Sequence, residues 1–325
     1  MITTILYAAL VAFLIALVVG PPLIEFLRRL KFGQSIRVDG PKSHLKKAGI
    51  PTMGGILIVA ATAISTLLFT RGHVAVLYAL LATLGFSLIG LVDDFIIVVA
   101  KRSLGLRARH KLLGEIILGL IVGLYALSSP ELGPAILVPF SSQVMVLPSW
   151  MFVFMATGAI VGSANAVNFT DGLDGLAAGT TAVAAVAYTL LCIGLGEWEL
   201  AAFAAAIAGA CLGFTWFNAY PAQVIMGDTG SLGLGAALGA LAILTRTELF
   251  LVIIGGVFVI ETLSVILQVA YFRLTGGSRI FRMAPLHHHF ELKGWPETKV
   301  VFRFWIMGFV FAVLGLAGFP AVLGF

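Results

Sequence analysis

Charged side chains are scarce in this chain: 20 Lys and Arg and 15 Asp and Glu stand among 325 residues, 11% in all. Soluble domains carry roughly a quarter, so this composition excludes an ordinary water-soluble enzyme. With 60% hydrophobic residues and a mean hydropathy of +1.08, it points to an integral membrane protein. Cysteine is nearly absent. Cys192 and Cys211 lie inside apolar stretches, which rules out a disulfide framework or a ligand pair and leaves small buried hydrophobes. No stretch is polar enough for a soluble domain, no basic segment suits a nucleic-acid partner, and no internal repeat is visible.

What is present is a series of apolar runs, each long enough to cross the hydrocarbon core as a helix. Ten are read, at approximately 2–20, 50–70, 74–92, 111–128, 149–168, 176–195, 198–217, 229–245, 249–271 and 301–322, in one polytopic domain covering 1–325. The first lacks a basic leader and a small-residue cleavage site, so it reads as a retained span. Between the fourth and fifth spans, Ala135–Phe140 and Gln143–Leu147 flank Ser141-Ser142, a pattern that predicts a short β-hairpin outside the membrane.

The charges give the orientation. Eighteen of the 20 Lys and Arg fall in three segments on one side of this topology, leaving Arg71 and Arg246 opposite. The positive-inside rule makes that side cytoplasmic and both termini periplasmic. Two further loops on the same side carry acids and no base: Asp171 and Asp174 in one, Asp228 in the other. Asp93-Asp94 ends the third span there, and the run His287-His288-His289 follows the ninth.

Each motif has a plain reading beside its chemical one. Adjacent carboxylates at Asp93-Asp94 repel and invite a cation, a metal or a proton, but a water-facing helix end would also explain them. Asn165, Asn168, Asp171 and Asp174 recur every third residue, which lines amides and carboxylates along one helical face. Gly172 and Gly175 would admit a ligand to the backbone, though Asn, Asp and Gly are also ordinary turn formers. Asp228 precedes a glycine-rich run, where it reads as an N-cap, a Mg²⁺ ligand or both, with a phosphate-binding helix N-terminus beyond it. Consecutive histidines point in different directions and cannot all meet one ion, so phosphate or carboxylate contacts suit them better than a transition metal. Glu261 and Gln268 sit inside a span, where an ionisable group is expensive; an interhelical hydrogen bond is the alternative. Gly119 and Gly123 read as a helix-packing pair.

On these residues the chain resembles the MraY family, the phospho-N-acetylmuramoyl-pentapeptide transferases. The likeness runs through Gly40–Gly55, Asp93-Asp94-Phe95, Asn165–Gly179, Asn218–Leu232 and Met283–Glu297. Ala284-Pro-Leu-His-His-His-Phe-Glu291 followed by Gly294-Trp-Pro-Glu297 distinguishes it from the sibling transferases that use UDP-N-acetylglucosamine. A transporter would also explain polar groups within spans, but here they gather at one face and not at the midplane. The resemblance implies a homodimer in the bacterial inner membrane, ten transmembrane helices and a cytoplasmic site. There undecaprenyl phosphate attacks UDP-MurNAc-pentapeptide with Mg²⁺ as cofactor, giving lipid I and UMP. By matching motifs, Asp228 is the Mg²⁺ ligand and Asp93 or Asp94 deprotonates or positions the lipid phosphate. His287 contacts phosphate or acts indirectly on Mg²⁺. The substrate positions are Lys46, Lys101, Arg109, Asn168, Asp171, Gly172, Leu173, Asp174, Asn218, Gln268, His288 and His289. Two residues depart from the family pattern: Ile97, where a Lys is usual, and Ile225, where Phe is common.

Overall fold

The computed structural model describes residues 1–30, 49–100 and 105–319. Lys46 and Lys101 lie outside them. In chain order the elements are α1 (Ile2–Arg29), α2 (Gly55–Thr70), α3 (Val74–Ala100), α4 (Ala108–Ser128), β1 (Ala135–Leu137), β2 (Val144–Val146), α5 (Ser149–Thr170), α6 (Leu176–Leu195), α7 (Trp198–Asn218), α8 (Gly227–Leu244), α9 (Glu248–Ile254), α10 (Gly256–Leu274), α11 (Leu286–Leu292) and α12 (Glu297–Ala317). Among the described residues nine helices are long and apolar enough to cross a membrane, and α2, with 16 residues, is a shorter apolar helix. The protein is an all-α multi-pass membrane protein with one small hairpin.

Composition decides which helices lie at the centre. In α8 every residue from Thr229 to Leu244 is buried, and its many Gly and Ala residues let α3 and α5 pack closely against it. The lipid-facing helices carry large apolar residues outward, as α12 does with Phe302, Ile306, Phe309 and Val313. Gly119 and Gly123 meet Thr157 and Ala156 on α5, the helix-packing role expected of them.

The hairpin pairs Ala135 with Val146 and Leu137 with Val144, antiparallel. It also ties distant parts together. Leu137 N–H donates to the Arg246 carbonyl at 2.8 Å, and Phe140 N–H donates to the Gly318 carbonyl at 3.0 Å.

Three expectations about boundaries change. The third span continues to Ala100, because Phe95-Ile-Ile-Val-Val99 extends the apolar run, so Asp93 and Asp94 lie inside a helix and not at its end. The ninth span is two helices that part at Gly255-Gly256, where two poor helix formers meet. Met226, not Asp228, is the N-cap of α8; Asp228 is the second residue of the helix.

Candidate active site

The head of α8 is fixed by two close approaches. A Cβ at Gly90 on α3 would collide with the Asp228 carbonyl, and one at Gly55 on α2 would collide with the Gly230 backbone. One turn beyond Gly90, Asp94 reaches the same helix end. Its carboxylate accepts the N–H of Asp228 at 3.1 Å, the N–H of Thr229 at 3.0 Å and the Thr229 hydroxyl at 2.7 Å. The capping acid of α8 therefore comes from α3, where its charge meets the positive end of the helix dipole.

That arrangement frees the Asp228 side chain. Its Oδ1 accepts from Asn168 Nδ2 at 2.8 Å, and its Oδ2 takes the Lys111 ammonium at 2.5 Å. The same Asn168 amide also donates to Ser231 Oγ at 2.9 Å. One turn back along α5, Asn165 Nδ2 donates to Glu115 Oε2 at 2.7 Å. Two residues on α4, one turn apart, thus reach different helices: Lys111 meets Asp228 on α8 and Glu115 meets Asn165 on α5. Asp93, neighbouring Asp94, accepts the Leu106 N–H at 2.8 Å, and its charge faces that of Asp228. Arg109 is exposed in the first turn of α4.

A second group surrounds the turn after α5. The N–H of Asp171, its C-cap, donates to the carbonyls of Val167 and Asn168. Gly172 lies against His287, whose imidazole a Cβ there would strike. Leu173 is buried with Leu176, Val300 and Phe304. Asp174 Oδ2 accepts the Ala222 N–H at 3.0 Å, while its own N–H donates to Glu297 Oε1 at 2.8 Å. Asn218 joins two loops, accepting the Gly175 N–H at 2.9 Å and donating to the Val224 carbonyl at 2.8 Å. Trp305 Nε1 donates to the Gly175 carbonyl at 3.2 Å.

The three histidines diverge, as their spacing on one helix requires. His287 is fully buried against the Gly172 turn. His288 Nδ1 is 2.8 Å from Glu291 Oε2. His289 Nδ1 accepts the Arg282 N–H at 3.1 Å, which requires the neutral ring. Burial, with the cations of Lys293 and Arg282 nearby, holds the His289 pKa below its ordinary value. Gln268 fastens the segment before α11: its Oε1 accepts the N–H groups of Ile280 and Phe281, and its Nε2 donates to the Phe281 carbonyl.

The two groups adjoin through α5, since Asn168 and Gly172 are four residues apart. The first brings Asp93, Asp94, Asn168 and Asp228 together; the second brings Gly172, Leu173, Asp174, Asn218 and His287 together. Sequence reasoning left Lys111 among the loop cations and passed over Glu115 and Thr229. Lys111 and Glu115 do carry a signal, an i, i+4 charged pair entering an apolar helix.

Among the described residues no group of three or more His, Cys, Asp or Glu side chains forms a metal cage. The donors that do approach one another, Asp93 and Asp228, are hard carboxylates, and a cation already contacts the outer oxygen of Asp228. Such a set fits a small hard divalent ion that keeps its waters and shares phosphate oxygens; it does not fit zinc. An apolar cavity of 240 Å³ lies between α5, α8, α9 and α10, and Val167 and Glu248 line it.

Comparison with known proteins extends this picture. Residues 75–246 match the model of glycosyl transferase family 4, and residues 47–59 match phospho-N-acetylmuramoyl-pentapeptide-transferase signature 1. The chain is 54% identical over 305 residues to the phospho-N-acetylmuramoyl-pentapeptide-transferase of Moorella thermoacetica, covering 94% of this chain and 95% of that one. It is 52% identical over 327 residues to the protein of that name from Desulforudis audaxviator, covering 97% and 98%. The corresponding Bacillus velezensis protein is 50% identical over 317 residues, covering 96% and 97%.

Proposed function

The chain belongs to the phospho-N-acetylmuramoyl-pentapeptide-transferase family, and on that premise we propose that it transfers phospho-MurNAc-pentapeptide from UDP-MurNAc-pentapeptide to undecaprenyl phosphate. An oxygen of the lipid phosphate attacks the sugar-proximal phosphorus, the bond to UMP breaks, and lipid I forms. The observation that carries the assignment to a site is the Lys111–Asp228–Asn168 group at the head of α8, set beside the Asp93–Asp94 pair.

Two anions meet in this reaction, so the protein must offset their repulsion. Lys111 supplies a positive charge beside Asp228, and Arg109 begins the same helix; Lys46 and Lys101, which lie outside the described residues, are assigned to the phosphates from the family resemblance alone. Asp228, with Asp93 near it, would hold Mg²⁺, which supplies Lewis-acid polarisation of the pyrophosphate when bound. Asp93, buried beneath the Gly105-Leu106 backbone, is the carboxylate that would receive or position the acceptor phosphate; Asp94 keeps α8 in place. Asn168 orients the Asp228 carboxylate. Asp171, Gly172, Leu173, Asp174 and Asn218 form the nucleotide turn, with His287, His288, His289 and Gln268 on the sugar and phosphate side. The apolar cavity lined by Ala166 and Val167 on α5 suits the hydrocarbon tail of the acceptor.

We read the nine long helices among the described residues, together with the shorter apolar α2, as ten crossings of one domain over 1–325. The excess of Lys and Arg supports a cytoplasmic site, periplasmic termini and a periplasmic hairpin in the bacterial inner membrane, and family membership supports a homodimer. The test is UMP release by purified protein with Mg²⁺, undecaprenyl phosphate and either UDP-MurNAc-pentapeptide or UDP-N-acetylglucosamine. No UMP from the pentapeptide substrate refutes the reaction. Full Mg²⁺-dependent turnover by Asp228→Ala refutes the metal assignment alone.

A further inference from the structure

Glu261 is a fully buried carboxylate on α10, inside a span where a charge needs compensation. Its compensation comes from one place. Oε2 accepts the Leu286 N–H at 2.7 Å and Oε1 accepts the His287 N–H at 3.2 Å. Those are the first two residues of α11, so Glu261 fixes the start of the histidine helix from a different helix. The Ser264 hydroxyl, which donates to the Glu261 carbonyl at 2.6 Å, engages the backbone and leaves the carboxylate to α11.

The same carboxylate also faces the His287 side chain, with Oε2 3.3 Å from Nδ1. His287 is fully buried, and neither of its ring nitrogens has a hydrogen-bond partner. Burying an unpaired imidazole is costly, and such a group in a closed protein is explained when a ligand completes it. Its position agrees: Nε2 is the atom nearest to where a Gly172 side chain would begin, so the ring presses on the turn that carries Asp171 and Asp174.

We propose that Glu261 is the positioning carboxylate of His287, fixing the residue through the α11 backbone and setting its carboxylate beside Nδ1 so that Nε2 faces substrate at the Gly172 turn. An anion beside Nδ1 favours the tautomer with its proton on that nitrogen, and Nε2 is then the atom that exchanges a hydrogen bond with substrate. Glu261 itself touches no substrate, so its effect passes entirely through His287. This rests on the transferase reading above and adds to it the group that orients the histidine.

The experiment is a double-mutant cycle with Glu261→Gln and His287→Gln in the full-length protein, reading kcat and KM for the UDP-sugar by UMP release. Removing a group that orients a functional histidine costs about 10- to 100-fold, so Glu261→Gln lowers kcat by that factor while KM stays within about threefold. In the His287→Gln background the same change adds less than about threefold, because its route is already closed. Independent, multiplying losses overturn the proposal, and so does wild-type kcat in Glu261→Gln. Should that variant lose its cooperative melt, Glu261→Asp carries the test, since it keeps the charge and withdraws it by one methylene. Reduced kcat at unchanged KM then supports the pairing, and full kcat refutes it. Absence of UMP release from the wild type is a separate result, which sinks the transferase reading and not the geometry of the pair.

Discussion

Gly90→Ala tests whether the crossing of α3 and α8 sets the position of Asp228. The added Cβ would stand 2.7 Å from the Thr229 nitrogen, where ordinary contact begins at 3.4 Å, and closer still to the Asp228 carbonyl. The helices must part by about 0.7 Å or more at that point, and because both neighbours are backbone no rotamer can absorb it. Overpacking of this kind costs about 1–3 kcal/mol of stability. The larger effect falls on rate. A displacement near 1 Å of a reacting group can cost about 100-fold, equivalent to about 2.7 kcal/mol of barrier. The assay is kcat for UMP release together with a thermal melt. Gly85→Ala, on the same helix, is the control: its nearest contacts are all on the Leu118 side chain, which can change rotamer, so kcat stays within about threefold. If Gly90→Ala turns over within threefold of wild type, the tight crossing does not hold Asp228 and the account of the α8 head is wrong.

Lys111→Met removes the cation on Asp228 and leaves a half-buried carboxylate facing Asp93; kcat should fall at least about 100-fold, with a lower melting temperature, and unchanged turnover would exclude Lys111 from the site. His289 binds fewer protons folded than unfolded, because its folded pKa is depressed. Its contribution is therefore complete above the unfolded value of about 6.5 and is lost as pH falls through the lower folded value. The Arg282 amide should lose hydrogen-exchange protection on acidification below about pH 6.5, and His289→Gln should weaken that dependence; an unchanged profile in the variant would assign it elsewhere.

Hydropathy made most of the spans legible, because burial in hydrocarbon leaves little freedom in composition. It smoothed over the break at Gly255-Gly256, since a window long enough to detect a span averages two adjacent glycines away. The third span was legible to its true end at Ala100 in Phe95–Val99, but the paired carboxylates interrupt the hydropathy and draw the boundary forward. The three-residue spacing of Asn165 and Asn168 did forecast a shared face, and the histidine directions followed from helical period alone. The pairing of Lys111 with Asp228 was not legible. The two are 117 positions apart in sequence, and the i, i+4 spacing of Lys111 and Glu115 marks that lysine without naming its distant partner. Asp94 was ambiguous for a related reason, because its partner, the end of α8, belongs to a different part of the chain.

The hairpin gives the molecule a fulcrum. It clasps the Arg246 turn and, through Phe140, the end of α12 at Gly318. The opposite end of α12 carries Glu297, which holds the Asp174 backbone. Twenty-one residues of helix separate these ends, a lever arm of about 30 Å. A tilt of about 2° at the clasp would carry Glu297 through about 1 Å, the displacement at which catalytic alignment begins to fail. The β-hairpin, which shares no residue with the candidate site, is thereby coupled through α12 to the angle at which the Asp174 turn is held.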